Sequence, residues 1–134
     1  LMLDLDHFKQ VNDNYGHLAG DHVLRQIAAV MRQELRKIDT LGRIGGEEFA
    51  VILPGATLAT AEVFAERLRQ RVAASPAVHE NKTIPLTVSI GVAEINIDDK
   101  SADNVLGRAD RALYHAKELG RNKVTVEGKF PRLA

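Results

Sequence analysis

Asp4 and Asp6 close the short apolar run at the start of the chain, and Glu47 and Glu48 directly follow a glycine pair, Gly45-Gly46. If the segments that carry them are neighbours, Asp4, Glu47 and Glu48 converge at one edge. Two bare carboxylates about 4 Å apart repel by roughly 4 kcal/mol at an effective dielectric near 20. A hard divalent cation turns that repulsion into a binding site. Oxygen donors without His or Cys favour Mg²⁺ or Mn²⁺ over zinc. Mg²⁺ held by a few carboxylates usually serves a phosphate substrate, so the expected substrate is a nucleotide and the expected reaction phosphoryl or nucleotidyl transfer. The glycines leave backbone N–H groups bare for a phosphate. Lys9, and Lys117 with Arg121 one turn apart near the end of a helical pattern, could supply cations. Dipole complementation at a helix C-terminus explains Lys117 and Arg121 equally well without a ligand. Glu47 and Glu48 could likewise be acids that solvate a hairpin tip.

The residue pattern predicts the elements that must position these groups. Leu1–Leu5 reads as a short strand, and His7–Asn14 as a brief helix with Phe8 and Val11 inward, ended by Asn14-Tyr15-Gly16. Leu24, Ile27, Met31 and Leu35 recur at three- and four-residue steps, which is one face of an amphipathic helix. Asp21 falls in its expected first turn, where an acid complements the dipole, so a simple cap accounts for it. Thr40–Ile44 and Phe49–Leu53 flank the glycines as a hairpin, because glycine tolerates the φ > 0 of tight turns. Pro54-Gly55 breaks the strand, and Ala61, Phe64, Ala65, Leu68 and Val72 mark the next helix, ended by Ser75-Pro76. Residues 77–82 read as polar loop, and Thr83–Ala93 as one strand of alternating residues. Ser101 or Asp103 could cap a helix built on Val105, Leu106, Ala109, Leu113 and Ala116, with Leu119-Gly120 as its stop. Lys123–Val126 is a last short strand. This order predicts an α/β (α+β) sandwich, helices covering a largely antiparallel sheet. The mid-chain hairpin argues against a doubly wound parallel sheet. The expected domain spans residues 1–128, with a C-terminal tail at 129–134.

Composition narrows the function classes. The 134 residues suit one domain; 45% hydrophobic and 27% charged residues are ordinary for a globular protein. The absence of cysteine removes disulfides, thiolate metal sites and a cysteine nucleophile. With 18 basic and 18 acidic residues the formal charge is zero, so no global field favours nucleic acid. No apolar run approaches a membrane span and no signal peptide is visible, so no membrane contact by this domain and a cytoplasmic location are expected. The abrupt apolar start suggests a piece of a longer protein, whose absent N-terminal regions could anchor it to a membrane. A G-x-x-x-x-G-K-[ST] loop is lacking, no Ser/His/Asp arrangement is supported, and the five histidines show no metal spacing.

Five blocks carry a resemblance. Asp4-Leu5-Asp6-His7-Phe8-Lys9-Gln10-Val11-Asn12-Asp13, Gly16-His17-Leu18-Ala19-Gly20-Asp21, Gly45-Gly46-Glu47-Glu48-Phe49, Leu86-Thr87-Val88-Ser89-Ile90-Gly91-Val92-Ala93 and Ala109 through Asn122 resemble the GGDEF domain of the diguanylate cyclase family, in the family's order and almost end to end. The family's usual opening segment, Asp-x-Leu-Thr-Gly-Leu-x-Asn-Arg, has no counterpart ahead of Leu1. The resemblance implies a fold akin to nucleotidyl cyclase catalytic and polymerase palm domains. It also implies synthesis of cyclic di-GMP from two GTP with release of two pyrophosphates.

By that likeness Asp4, the Leu5 carbonyl and Glu47 hold Mg²⁺ or Mn²⁺, two ions per site, with Glu48 supporting the second ion or the hairpin. Gly45 and Gly46 let phosphate approach the backbone. Asn12 and Asp21 read the guanine edge, Phe8 and Lys9 lie near the phosphates, and Lys117 with Arg121 meet the terminal phosphates. Each 3′-hydroxyl attacks the GTP on a facing subunit, so a symmetric homodimer is expected. Arg36-x-x-Asp39 matches the family's inhibitory product site, and Arg67 could supply a second arginine to the bound guanines. As a bare pattern Arg36 and Asp39 are two charges at a helix end. A catalytically silent module that binds GTP or cyclic di-GMP is the alternative, and a scaffold with idle acids a third.

Overall fold

The apolar start of the chain is strand β1 (Met2–Leu5), buried along its whole length. It runs antiparallel to β3 (Glu48–Ile52) on one side and to β6 (Val88–Val92) on the other. Outside these, β2 (Thr40–Gly45) completes the hairpin with β3, and β7 (Val124–Val126) adds in parallel to β6. The sheet order is β2-β3-β1-β6-β7, mostly antiparallel, as the residue pattern predicts. The computed structural model describes residues 1–128; the expected tail at 129–134 lies outside them.

Helices α2 (His17–Glu34) and α3 (Leu58–Ala73) cover one face, where Leu3, Leu5, Phe49, Val51, Val88, Ile90 and Val92 join Val23, Ile27, Met31, Leu68 and Val72. Helix α4 (Ala102–Glu118) covers the other, packing Ala109 and Leu113 on Met2 and Ala50. The short α1 (Phe8–Tyr15) follows β1 and packs on α2. With helices on both faces, β6 is buried at every residue, the polar Ser89 included. Gly91 permits that approach. A Cβ there would stand 2.1 Å from the Ala109 carbonyl oxygen and 2.3 Å from the Leu113 nitrogen, both backbone atoms of α4.

Three expectations are corrected. Residues 77–82 are not loop: β4 (Ala77–His79) and β5 (Lys82–Ile84) form a separate hairpin. Its turn is Glu80-Asn81, both at positive φ (49° and 64°), a geometry usually signalled by Asn-Gly or Asp-Gly and therefore hidden here. The single strand at 83–93 is two strands. Pro85 offers no N–H to a ladder, so the chain leaves β5 and re-enters the sheet at Val88. Finally, α2 begins at His17, directly after Gly16 at φ +90°, so Asp21 sits beyond the first turn and does not cap the helix.

In the second turn of α4, Arg108 gathers a second polar cluster. Its guanidinium donates to both oxygens of Asp99 (2.5 and 3.0 Å), to Glu127 (2.9 Å) and to the Glu94 carbonyl (2.7 Å). Among the described residues no helix is long and apolar enough to cross a membrane.

Candidate active site

Antiparallel register sets Asp4 directly opposite Glu48. The ladder continues into the turn, where the Leu5 N–H donates to the Glu47 carbonyl at 3.2 Å. Arg43, beside an irregularity in the β2–β3 register, donates its Nε–H to the Gly46 carbonyl at 2.8 Å and so braces the turn. Gly46 has φ +40° and Gly45 has open space where a side chain would stand, which leaves the backbone accessible. Strand pairing therefore sets Asp4 against Glu48 and the turn residue Glu47 at the end of β1. Asp4, Leu5, Phe8, Lys9, Glu47, Lys117 and Arg121 line one cleft of about 250 Å³.

Lys117 reaches down from α4 and donates from Nζ to the Asp4 carboxylate at 2.5 Å. Burial pushes the Asp4 carboxyl above its ordinary range; the Lys117 hydrogen bond and charge pull it back, and the neighbouring Glu47 and Glu48 add to the push. Burial is the larger effect because Asp4, deep on β1, has 94% of its side chain removed from water, by the 6% left exposed. In donor chemistry the two carboxylates and the Leu5 carbonyl fit Mg²⁺ or Mn²⁺. Among the described residues, however, no three His, Asp or Glu side chains stand close enough to clasp a metal, and an ammonium supplies the positive charge at Asp4.

Arg121 shares the cleft with Lys117 but not its helix. α4 ends at Glu118, Gly120 turns the chain at φ +117°, and Arg121 follows at φ +65°. The Leu119-Gly120 stop is as expected, while the pairing of Lys117 and Arg121 on one helical face is not. Helical spacing projected across a glycine fails, because the left-handed residue reverses the chain.

The residues expected at a guanine edge lie at the α1–α2 crossing. The Asn12 Oδ1 is buried without a hydrogen-bond partner, and it lies where a Cβ on Gly20 would come within 1.9 Å. Asp21, next along α2, is exposed at the rim of a separate open cleft of about 580 Å³, facing Arg25, Arg32 and Arg43 over a floor of Leu24, Leu41 and Phe49. Asn12 packs against Gly20, the residue before Asp21 on α2, whereas Asp21 and Asp4 line different clefts.

Arg36 and Asp39 form a fork. Arg36 donates from Nε and Nη2 to the carboxylate (3.1 and 2.8 Å), its backbone N–H adds a third bond at 2.7 Å, and Nη2 also reaches the Pro54 carbonyl at 2.9 Å. Hydrogen bonding to Arg36 holds the Asp39 carboxyl below its usual range. Arg67 is engaged elsewhere, by Glu34 at 3.0 Å and over the Phe64 ring at 5.2 Å.

Asp6 escaped the residue-type reading. Its buried carboxylate accepts from Thr87 Oγ1 (2.8 Å), Ser89 Oγ (2.7 Å) and the Asn122 N–H (2.9 Å). Asp6 lies just past the end of β1, in the turn to α1, and its partners come from residues 87, 89 and 122, so no local spacing announces them.

The fold and site together define a mixed α/β domain whose central strand delivers a buried carboxylate to a glycine hairpin, with a lysine supplied by a covering helix. Comparison with known proteins narrows the class. The family model "Diguanylate cyclase, GGDEF domain" matches residues 1–123. Diguanylate cyclase A of Treponema denticola is 45% identical over 126 residues, covering 94% of this chain and 34% of that protein. Among solved structures, the diguanylate cyclase SiaD of Pseudomonas aeruginosa, crystallised with its activator SiaC, superposes with a TM-score of 0.89 at 43% identity, over 93% of this chain and 48% of that one. The GGDEF domain of DgcB from Caulobacter crescentus, in complex with c-di-GMP, also gives 0.89, at 38% identity over 94% and 75%. The chain belongs to the GGDEF-domain, diguanylate cyclase family. It spans about a third of the Treponema relative and 18% of the Pseudomonas aeruginosa relative DgcP.

Proposed function

We propose that this domain condenses two GTP into cyclic di-GMP and two pyrophosphates at the interface of a homodimer. The observation that carries the reading is the pairing of Asp4 with Glu48 and of Leu5 with Glu47, which seats the glycine turn on the end of the central strand beside Lys117. Asp4, the Leu5 carbonyl and Glu47 would hold the metal, and Glu48 would support it or the hairpin. When bound, two Mg²⁺ or Mn²⁺ ions neutralise charge on the α-phosphate and acidify the attacking hydroxyl. Gly45 and Gly46 admit the phosphates to the backbone. Phe8 and Lys9 border them, Lys117 leaves Asp4 for the terminal phosphates together with Arg121, and Asn12 and Asp21 orient the base.

The 3′-oxygen of each GTP loses its proton and bonds to the α-phosphorus of the other. The bond from that phosphorus to the β-phosphate oxygen breaks, and pyrophosphate leaves. One domain positions one GTP, so both bonds form only between two facing copies. Product acts back at Arg36 and Asp39, with Arg67 released from Glu34 to join it. The domain works in the cytoplasm, without membrane or nucleic-acid contact of its own.

The test is to hold the domain as a dimer through a fused coiled coil, supply GTP and Mg²⁺, and assay cyclic di-GMP. Product is expected. A dimeric sample that binds GTP and makes none would leave a silent nucleotide-binding module. Arg36→Ala should relieve inhibition by added cyclic di-GMP; unchanged inhibition removes the Arg36/Asp39 site from the reading.

A further inference from the structure

Arg121 stands in a segment that the chain does not adopt on its own. Gly120, Arg121 and Asn122 have consecutive positive φ (117°, 65° and 47°), a region that residues with a side chain rarely enter, and two of the three are not glycine. Something must hold the segment there. On the helix side, the Gly120 N–H donates to the Lys117 carbonyl (3.2 Å) and the Arg121 N–H to that of Ala116 (3.0 Å). On the sheet side the anchor is Asp6, which accepts the Asn122 N–H at 2.9 Å while Thr87 and Ser89 of the neighbouring segment fix both of its oxygens. From outside, Arg69 of α3 donates to Asn122 Oδ1 at 2.9 Å.

Asp6 is buried, yet among the described residues no lysine or arginine pairs with it; its hydrogen bonds come from two hydroxyls and a backbone amide. A buried carboxylate kept without a countercation is costly unless every lone pair is directed. We infer that Asp6 is a positioning residue: its carboxylate fastens the reversed segment 120–122 to the end of the sheet so that the Arg121 guanidinium stands at the cleft beside Lys117. The inference rests on the proposed role of Arg121 at the terminal phosphates and adds to it the group that makes that role possible. It separates two kinds of acid within Asp4-Leu5-Asp6, one facing the ligand and the other facing the loop that meets it.

The experiment compares binding of 3′-deoxy-GTP, which cannot react, with binding of GMP, which lacks the terminal phosphates, by calorimetry in Mg²⁺. Asp6→Asn should weaken 3′-deoxy-GTP about tenfold while changing GMP less than about twofold. The loss should vanish when Asp6→Asn is made on an Arg121→Ala background, because the loop then presents nothing. If Asp6→Asn fails to fold, Thr87→Val with Ser89→Ala frees the carboxylate while keeping its charge and should give the same triphosphate-selective loss. Equal weakening of both nucleotides, or a full loss persisting without Arg121, overturns the inference. Weaker triphosphate binding in Arg121→Ala with none in either set of Asp6 variants overturns it alone. No loss in Arg121→Ala removes the phosphate role of Arg121, and this inference with it.

Discussion

Asp4 and Asp99 each accept a 2.5 Å hydrogen bond from a cation on α4, yet their carboxyl groups shift in opposite directions. Asp99 is drawn down to about 2, by the Arg108 guanidinium first and by the Asn96 N–H second. Asp4 is pushed up, burial outweighing Lys117 while Glu47 and Glu48 add repulsion. A planar fork with a backbone donor satisfies Asp99 in place. One ammonium, a point charge on a flexible stem, does not offset the burial of Asp4 and the neighbouring charges of Glu47 and Glu48. Ion-pair distance alone does not separate a structural pair from a functional one; the company of each carboxylate does.

The comparison breaks first on turnover. Glu47→Gln should lower cyclic di-GMP synthesis by at least about a hundredfold with melting temperature maintained, whereas Asp99→Asn should lower melting temperature and leave turnover of the forced dimer intact. A swap of those outcomes would reverse the assignment of the two clusters. Next in size is Gly91→Ala, expected to cost about 1–3 kcal/mol by denaturant unfolding, because backbone cannot yield to a Cβ. It should also lower turnover, since Lys117 rides on the displaced helix; unchanged stability would show that α4 can shift freely.

The smallest effect is the pH dependence, where the signs differ. Asp99 contributes stability above its ordinary 3.8 and loses it as pH falls toward about 2, so the gap between parent and Asp99→Asn should close over that window. The Asp4 shift is upward, so its protonated form is the favoured one and its contribution is lost as pH rises through the raised value. Asp4→Asn should therefore gain on the parent as pH rises from the ordinary 3.8 through the raised value. Unfolding curves from about pH 2 to about pH 7 distinguish the two slopes.

The residue types and spacings disclosed the hairpin, the central strand and the acids that meet across them, because those relations follow from alternation and one ladder. Other parts depend on partners far along the chain. Lys117 lies 113 positions from Asp4, and Asp6 lies 83 from Ser89 and 116 from Asn122. No local period encodes such encounters. The β4–β5 hairpin is hidden because Glu80-Asn81 adopts a turn more often built with glycine, and the four-residue step from Lys117 to Arg121 looks helical although α4 ends at Glu118. Asp21 looks like a cap because the apolar period begins late, whereas α2 starts four residues earlier at His17.

Gly91 does not line the cleft of Asp4, Glu47 and Lys117, yet it sets how high α4 rides above the sheet and so how far Lys117 can reach. It works as a shim of zero thickness. A variant of this domain could retain every acid, glycine and lysine of the cleft and still be inert from one added methyl group outside it. When intact motifs are used to infer activity in such domains, position 91 belongs on the checklist.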